Sequence, residues 1–452
     1  MEIKEMVALA REAQREYQAT HNQQSVDNIC RAAAKVIYEN AEILAREAVD
    51  ETGMGVYEDK VSKNKGKSKG VWYNLHDKKS IGILNIDERT GMIEIAKPMG
   101  VVGAVTPTTN PIVTPMSNII FALKTCNAII ISPHPRSKKC SMHAVELIKE
   151  AIAPFNVPDA MVQVIEEPTL DRTIELMSAV DVVVATGGMG MVKSAYSSGK
   201  PSYGVGAGNV QVILDSDIDF DDATNKLITG RAYDNGIICT GEQSVIYNKA
   251  DKDAVFAALK KNGAYICSQE EGEKMRDILF HDNGPINKDV VGQSAIKIAA
   301  MAGIKVPETT RVIVVEAHGV GAEDSICREK MCPVLCALPY NHFEEAVEIA
   351  RKNLANEGNG HSCAVHSNSQ AHIILAGSVL TCSRVVVNAP SATTAGGHIQ
   401  NGLAVTNTLG CGSWGNNSLS ENFTYKHLLN ITRIAPLNPS IHIPDDNEIW
   451  SM

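Results

Sequence analysis

Short apolar runs separated by helix-length stretches recur from residue 100 onward, and this pattern constrains the fold more than any other feature. The runs are GVVGAVTP (100–107), AIIISP (128–133), MVQVI (161–165), VDVVVATGG (180–188) and VQVILD (210–215). Apolar runs without polar alternation are typical of strands buried on both faces, and parallel strands require helical crossovers between them. The pattern predicts an α/β doubly wound sheet whose ligand lies at the carboxyl ends of the strands.

A second series of apolar runs predicts a second α/β domain. These runs are QSVIYN, RVIVVEA, PVLCALPY, SCAVHS and RVVVNAP, again with helical segments between them. Helical periodicity in residues 1–50 predicts two helices ahead of the first sheet. We therefore expect a first domain at 1–232, a second at 233–415 and a C-terminal arm at 416–452.

The charge and composition of the chain exclude several classes of protein. A formal net charge of −10 argues against nonspecific nucleic-acid binding. The charged N-terminus lacks the apolar core of a signal peptide, and no window approaches the ~20 apolar residues of a membrane span. Eleven cysteines, an odd and unevenly spaced set, favour reduced thiols over a disulfide framework. We expect a soluble, cytoplasmic protein.

Two glycine-rich segments are candidates for contact with a phosphate. ATGGMGMVKSAY (185–196) follows a strand and opens a predicted helix, and YGVGAGN (203–209) places glycines at alternate positions. Neither matches the G-x-G-x-x-G dinucleotide fingerprint. Phosphate binding by free backbone N–H groups and a tight structural turn both remain open for each segment.

Cys239, in AYDNGIICTGEQS (232–244), is a candidate nucleophile, although single cysteines are more often inert core residues. A nucleophilic thiol needs partial access, an accessible thiolate and stabilisation of the tetrahedral oxyanion. The backbone N–H of Cys239 is one possible oxyanion donor. The side-chain amide of Asn110, in TPTTNP (106–111), is a second, unless that asparagine only forms a turn before proline.

Taken in order, the motifs resemble the CoA-acylating branch of the aldehyde dehydrogenase superfamily over nearly the whole chain. They are TPTTNP, SPHPRSKK, ATGGMGMVKSAYSSGKPSYGVGAGN, YDNGIICTGEQS, CREKMCPVL, GNGHS and TLGCGSWGNNSLSEN. KSKGVWYNLH and APSATTAGGHIQNGLAVTNTLGCGSWGNNS resemble in particular the CoA-dependent succinate semialdehyde dehydrogenases of anaerobic clostridial metabolism. The resemblance implies reversible reduction of succinyl-CoA to succinate semialdehyde and CoA. The alternative is an acylating dehydrogenase for acetaldehyde or another small aldehyde.

The resemblance also implies roles for individual residues. Cys239 would be the nucleophile, Asn110 the oxyanion donor, and the first domain would hold a nicotinamide cofactor. The implied cofactor contacts are Thr106, Pro107, His134, Arg136, Ser137, Lys138, Thr186, Gly187, Gly188, Gly204 and Glu329. Homodimers or homotetramers would form by sheet extension through the strand at 92–100 and the tail.

Gly204 marks a departure from hydrolytic aldehyde dehydrogenases. Those enzymes carry there a glutamate that activates water against the thioacyl enzyme, and this sequence has no side chain at that position. Without the carboxylate, hydrolysis loses its general base. We expect the thiol of CoA to resolve the intermediate instead.

The resemblance implies that EDKVSKNKGKSKGVWYN (58–74), which contains Lys60, Lys63, Lys65, Lys67 and Lys69, borders the substrate entrance and could hold a substrate carboxylate. Lys65 and Lys69 share a helix face and could hold it, unless they form only a solvated face. In PSATTAGGHIQNG (390–402), Ser391, Thr393 and Thr394 would line the opposite wall, and His398 offers a further polar donor. The resemblance implies that His361, in GNGHS, is a further substrate residue. A structural role for this histidine is an equal alternative.

The segment SPHPRSKK (132–139) bears on the choice of nicotinamide cofactor. NAD-selective enzymes commonly place an acidic residue after the second strand to bind the ribose 2′-hydroxyl. Here Ser137 lies among Arg136, Lys138 and Lys139, which would attract a 2′-phosphate. We expect NADP(H), with NAD(H) as the alternative if these cations contact only the pyrophosphate or solvent.

Two other interpretations are weaker. Cys327, Cys332, Cys336 and Cys363 cluster late in the chain, but they form no C-x-x-C pair, so no metal site is expected. A catalytically silent scaffold is disfavoured because the candidate catalytic residues are present together.

Overall fold

The computed structural model describes the backbone of residues 1–452 and every side chain except that of residue 283. Sixteen α-helices are α1 Ile3–Thr20, α2 Gln23–Glu39, α3 Ala41–Thr52, α4 Tyr57–Leu75, α5 Val113–Lys124, α6 Lys138–Ile152, α7 Leu170–Ala179, α8 Met189–Tyr196, α9 Phe220–Ala232, α10 Lys252–Lys261, α11 Gln269–Leu279, α12 Ala295–Met301, α13 Phe343–Asn356, α14 Gln370–Val379, α15 Ser391–Thr394 and α16 Asp446–Trp450 in this description. Fifteen strands are β1 Ile83–Ile86, β2 Ile93–Pro98, β3 Val101–Val105, β4 Ala128–Ser132, β5 Val162–Val164, β6 Val182–Thr186, β7 Ser202–Val205, β8 Val210–Leu214, β9 Glu242–Asn248, β10 Ala264–Ile266, β11 Val312–Glu316, β12 Val334–Tyr340, β13 Gly360–His366, β14 Cys382–Val387 and β15 Leu429–Ile434.

The N-terminal region holds three helices where the sequence predicted two. Asn22 accepts a hydrogen bond from the Ser25 backbone N–H at 3.0 Å and caps α2. Asn40 then ends α2 and precedes α3. Asparagine is a common helix-capping residue because its short side chain satisfies free backbone donors. The helical spacing of apolar residues continues across these caps, so the periodicity alone did not separate the three helices.

The first sheet has the order β5-β4-β3-β6-β7, with every pair parallel. Strands β3, β4 and β6 are buried along their whole length, as their unbroken apolar runs predicted. From β3 the chain adds β4 and β5 on one side of that strand, and it then crosses over to add β6 and β7 on the other side. The loops after β3 and β6 therefore diverge and leave a crevice between them at the carboxyl edge. This is the switch point at which doubly wound sheets bind their ligands.

The second sheet has the order β10-β11-β12-β9-β8-β13-β14 and is also parallel. It includes β8, the run VQVILD, which the sequence analysis assigned to the first series. The division between the two sheets therefore falls between β7 and β8 and not at residue 232. A short apolar run carries no information about which neighbours it will pair with, so the pattern alone could not place β8. The predicted α/β architecture with two parallel sheets is otherwise confirmed.

A third, antiparallel sheet has the order β1-β2-β15 and joins residues far apart in sequence. Its middle strand is the segment predicted to mediate oligomerisation, and β15 comes from the C-terminal arm. Ile83 and Ile86 on β1, and Ile431 and Ile434 on β15, are exposed. None of the helices in the described part of the chain is both long and apolar enough to cross a bilayer.

Gly100, at the corner between β2 and β3, has a φ of +125° that other residues rarely adopt. A Cβ there would lie 2.3 Å from Asp181 Oδ2, and that carboxylate accepts hydrogen bonds from Val101 N–H and Arg11. Gly100→Ala should therefore lower the free energy of unfolding by about 1–3 kcal/mol in urea denaturation. Gly199→Ala is the matched control, since it has a φ of +76° but no neighbour within 4 Å. Equal losses in both variants would show that the contact with Asp181 contributes nothing.

Candidate active site

Cys239 differs from most of the other cysteines in its exposure. All eleven are free thiols, and nine are buried, leaving Cys239 and Cys382 half-buried. Of these two, Cys239 lines a pocket of about 350 Å³. The nucleophile predicted from sequence is therefore a partly accessible thiol in a concave site.

A tight backbone contact holds Cys239 in place. The segment between β7 and β8 passes so close that a Cβ on Gly208 would lie 1.9 Å from the Cys239 carbonyl oxygen. On the other side, Thr240 Oγ1 donates to the Ala392 carbonyl at 3.1 Å. The glycine-rich segment YGVGAGN thus lets the connection between the two sheets approach the loop that carries the thiol.

The pocket joins residues from distant parts of the chain, and its charged lining is entirely basic. Asn110 lies in it with Cys239, as the sequence analysis expected. Its lining residues are Ser62, Lys63, Gly66, Lys67, Lys69, Gly70, Asn110, Tyr233, Ile238, Cys239, Thr240, Ala392, Thr393, Gly396, Gly397, His398, Ile399, Val405, Thr406, Asn407 and Leu409. Three lysines are present, and none of these described side chains is a carboxylate. Such a pocket favours a substrate that carries a negative charge.

Lys67 is held in the pocket by two backbone carbonyls and has no carboxylate partner among the described residues. Its ammonium donates to the Gly396 carbonyl at 2.8 Å and to the Thr406 carbonyl at 3.0 Å. Burial lowers the pKa of Lys67 to about 8, an effect that the nearby Cys239 thiol opposes. Lys69 is exposed and lies at the pocket wall.

The ionisation of Cys239 is set by opposing effects. Burial raises the pKa of its thiol to about 12, and Glu329 adds to the rise, while Arg384 and Lys67 lower it. Arg384 is itself buried and donates to neutral groups, including the His361 and Gly410 carbonyls at 2.7 and 2.8 Å. The free thiol is therefore protonated at neutral pH, with two cations positioned to stabilise its thiolate.

The predicted cofactor residues lie mostly at the carboxyl edge of the first sheet. Thr106 and Pro107 follow β3, the turn from His134 to Lys138 follows β4, and Thr186, Gly187 and Gly188 lie at the end of β6. Thr106 Oγ1 is buried and has no hydrogen-bond partner among the described residues. Gly188 precedes α8, whose first N–H groups are free. An unpaired hydroxyl and free N–H donors at the switch point fit an anionic dinucleotide.

Part of the positive charge in the basic segment after β4 is neutralised by an acidic residue of the same chain. Lys138 Nζ lies 2.5 Å from Glu167 Oε2, and the Lys139 backbone N–H donates to Glu51 at 2.9 Å. Arg136 is exposed, while Ser137 is buried. His134 accepts from the Arg136 backbone N–H at 3.1 Å and its ring lies 2.8 Å from Thr108 Oγ1.

Of two further predicted cofactor residues, Glu329 lies near the thiol and Gly204 lies in the first sheet. Glu329 Oε1 accepts from the Gly208 backbone N–H at 3.3 Å, which places it beside the Cys239 loop. Burial raises the pKa of Glu329 to about 8, with Glu357 adding to the effect. Gly204 lies in β7, where a Cβ would meet Val192 Cγ1 at 2.6 Å. No larger residue fits at Gly204 without repacking α8.

Several residues predicted to bind substrate lie outside the pocket. Lys65 pairs with Glu42 at 3.0 Å on another face of α4. Ser391 is buried, and its backbone N–H donates to Glu242 Oε1. Thr394 Oγ1 donates to the Pro390 carbonyl. His361 is buried in β13, where burial lowers its pKa to about 3 and its Nε2 has no described partner. Of the predicted substrate residues, Lys69, Thr393 and His398 reach the pocket wall.

The sequence analysis singled out Lys65 and Lys69 from the lysine-rich stretch as carboxylate ligands, although a signal for Lys63 and Lys67 exists. Lys63, Gly66, Lys67 and Gly70 recur at helical spacing, and a Cβ on Gly70 would lie 3.1 Å from the Val405 side chain. Glycines on one helix face indicate close approach of another segment. The stripe with glycines faces the pocket, whereas Lys65 lies outside it and pairs with Glu42.

Comparison with known proteins identifies the class to which this fold and site belong. The aldehyde dehydrogenase family model matches residues 1–274. The chain is 51% identical over 449 residues to the succinate-semialdehyde dehydrogenase (acetylating) of Clostridium kluyveri, an alignment that covers 99% of this chain and 98% of that protein. The chain belongs to the aldehyde dehydrogenase family, and the resemblance found in its motifs is confirmed.

Two crystal structures place the chain within that family. An acetylating aldehyde dehydrogenase from Geobacillus thermoglucosidasius superposes with a TM-score of 0.94 at 37% identity, covering 98% of each chain. The propionaldehyde dehydrogenase of Rhodopseudomonas palustris, with bound CoA and an acylated cysteine, gives a TM-score of 0.87 at 27% identity and covers 97% of each chain. The protein is an enzyme of the CoA-acylating branch.

Gly208→Ala should displace Cys239, because the new methyl group would overlap the Cys239 carbonyl. We expect most enzymatic activity to be lost, since displacements of about 1 Å at a catalytic group can cost ~10²-fold. Initial-rate assays and the rate of Cys239 alkylation by iodoacetamide measure the effect. Gly377→Ala in α14, which has no neighbour within 4 Å, is the control and should remain fully active. Full activity in Gly208→Ala would contradict the tight contact.

Proposed function

We propose that the enzyme catalyses the reversible, NADP(H)-dependent reduction of succinyl-CoA to succinate semialdehyde and CoA through a thioacyl intermediate on Cys239. The observation that carries this proposal is the pocket in which Cys239 and Asn110 lie with three lysines and no described carboxylate. The thiol and amide suit acyl transfer, and the cations suit an acyl group that ends in a carboxylate.

In the proposed first step, the Cys239 thiolate attacks the thioester carbonyl of succinyl-CoA. The C–S bond to Cys239 forms, and the carbonyl electron pair moves onto oxygen, where the Asn110 amide and the Cys239 backbone N–H would donate hydrogen bonds. The oxyanion then collapses, the bond to the CoA sulfur breaks, and CoA leaves as its thiolate. The succinyl group is now esterified to Cys239.

The second step requires a bound nicotinamide, which supplies the hydride that reduces the thioester to the aldehyde. Thr106, Pro107, Thr186, Gly187 and Gly188 would hold it at the carboxyl edge of the first sheet. Glu329, beside the Cys239 loop, would contact its ribose. Once the hydride has added to the carbonyl carbon, the C–S bond to Cys239 would break, the sulfur would leave as its thiolate, and the aldehyde would be released.

We expect water to compete poorly for the acyl group, because none of the carboxylates in the described part of the chain lines the pocket with Cys239. Gly204 provides no side chain at the position of the hydrolytic glutamate. Glu329, which does lie near the thiol, has its pKa raised to about 8 by burial and is mostly protonated at pH 7. A protonated carboxyl is a poor general base. In the oxidative direction CoA would therefore accept the acyl group.

The carboxylate at the far end of the succinyl group would be held by Lys67, with Lys69 at the pocket wall. Two of the three Lys67 ammonium protons are used by carbonyls, so one donor remains for the substrate. Lys65 is not part of this proposal because it pairs with Glu42. Acetaldehyde, the alternative substrate, has no group that would use these cations.

We propose NADP(H) as the preferred cofactor, with NAD(H) as the alternative. Exposed Arg136 and Lys139 would attract a 2′-phosphate next to Ser137, although Lys138 is compensated by Glu167. We also propose a cytoplasmic homodimer or homotetramer in which the exposed isoleucines of the third sheet are covered by a second subunit. An exposed antiparallel edge of this kind is suited to sheet extension.

Initial rates with succinyl-CoA and acetyl-CoA, each with NADPH and NADH, test the proposed reaction. We expect the highest kcat/KM for succinyl-CoA with NADPH, and no activity in Cys239→Ala. Equal or better use of acetyl-CoA would favour the alternative substrate. Release of free acid from an aldehyde at full rate without CoA would contradict the acyl-transfer mechanism.

Lys67→Met separates the role of the pocket cation from general effects on the site. Losing a charged hydrogen bond of about 1.5–3 kcal/mol should lower kcat/KM for succinyl-CoA by roughly 10- to 150-fold, with a much smaller loss for acetyl-CoA. The preference for succinyl-CoA should also fall above pH 8, because Lys67 is charged below its pKa of about 8 and neutral above it. Lys65→Met, on the same helix outside the pocket, is the control. Equal losses for both substrates would exclude Lys67 as a carboxylate ligand.

A further inference from the structure

A buried ion cluster lies directly behind the pocket. The Asp234 carboxylate is inaccessible to solvent and receives Lys60 Nζ at 3.0 Å and Lys63 Nζ at 2.6 Å. Its second oxygen accepts the Val56 backbone N–H at 2.8 Å. Burial alone would raise the pKa of Asp234, but Lys63 and Lys60 outweigh it and hold the pKa below its usual range. Buried charges of this kind are expensive unless they are paired, so the cluster must persist as a unit.

Lys63 has a second partner that Lys60 lacks. Its ammonium lies 2.9 Å from Asn110 Oδ1, so one lysine bridges the buried carboxylate and the amide in the pocket. The Asn110 Nδ2 group has only a long 3.5 Å contact with Thr109 Oγ1 among the described residues. Its donors are therefore available to the pocket.

The bridge determines which end of the amide is free to face the pocket. An ammonium group has three donors and no acceptor, so it can pair only with the amide oxygen. Turning the amide over would bring its NH₂ against the Lys63 ammonium and point a carbonyl oxygen at the developing oxyanion. Either contact is repulsive.

We infer that Lys63 is a positioning residue that fixes the Asn110 amide with its NH₂ toward the substrate carbonyl, while Asp234 fixes Lys63. This inference rests on the proposed oxyanion role of Asn110. Lys63 acts through Asn110 and forms no bond with the reacting atoms.

The same cluster also anchors the loop that carries the nucleophile. Asp234, Asn235 and Gly236 have φ angles of +50°, +52° and +69°, a left-handed run that leads into Cys239. The Asp234 backbone N–H donates to Asp59 Oδ2 at 2.7 Å, and its side chain pairs with Lys60 and Lys63 of α4. One helix thereby sets the positions of the thiol loop and of the oxyanion donor together.

Lys63→Met tests the inference, with Lys60→Met as the matched control. Both variants remove a buried ammonium from Asp234 and leave the other in place, but only Lys63 contacts Asn110. Since removal of an oxyanion donor costs about 10²–10³-fold in kcat, we expect Lys63→Met to lose at least about tenfold in kcat for succinyl-CoA reduction, with KM little changed. Lys60→Met should lose far less at a similar fall in melting temperature.

The double variant with Asn110→Ala distinguishes positioning from a general structural effect. If Lys63 acts only through Asn110, adding Lys63→Met to Asn110→Ala should lower kcat no further. Multiplying losses, or equal losses in Lys63→Met and Lys60→Met, would overturn the inference. If Lys63→Met does not fold, Lys63→Gln carries the same comparison, and a kcat no lower than that of Lys60→Met would overturn it.

Failure of the proposed function gives a different result from failure of the inference. An inactive wild-type enzyme, or an Asn110→Ala variant with normal kcat, would remove the oxyanion role of Asn110 and the inference with it. An impaired Asn110→Ala variant beside a fully active Lys63→Met variant would remove only the role of Lys63.

Discussion

The passage of the Gly208 backbone against the Cys239 carbonyl is the contact on which the site depends. It brings the connection between the two sheets onto the loop that carries the thiol, with no room for even a methyl group. Because β7 ends the first sheet and β8 begins the second, this short segment aligns the carboxyl edge of one sheet with the amino ends of β8 and β9. The proposed dinucleotide crevice and the proposed nucleophile, Cys239, meet as a consequence.

The charged groups around Cys239 influence both the ionisation of its thiol and the kind of substrate that the pocket attracts. The pocket has basic side chains and no described carboxylate, so an anionic acyl group is attracted to it. Burial disfavours the Cys239 thiolate, and Lys67 and Arg384 oppose that effect. The carboxyl group near the thiol, Glu329, is kept largely neutral at pH 7 by its own burial. In the proposed mechanism, the same low-dielectric surroundings would favour acyl transfer between sulfurs over attack by water.

Much of this arrangement could be predicted from the sequence, and the failures have physical causes. Unbroken apolar runs identified the parallel strands, and the family resemblance carried by the motifs implied that Cys239 and Asn110 share one site, as the pocket shows. The sheet to which β8 belongs depends on long-range pairing, which a local pattern does not contain. Lys65 and Lys67 are two residues apart on α4 and thus point to different sides of the helix. Choosing between them required the contacts of Gly70 and Gly396, which belong to the tertiary structure.

The central claim is that the acyl group is carried by Cys239 and passed to a thiol in preference to water. Mass spectrometry of the peptide around Cys239, after incubation with succinyl-CoA and without reduced nicotinamide, tests it directly. We predict one succinyl group on Cys239, stable in buffer at pH 7 and removed when free CoA is added. An unmodified Cys239, or an adduct that hydrolyses as fast without CoA as with it, would contradict the account.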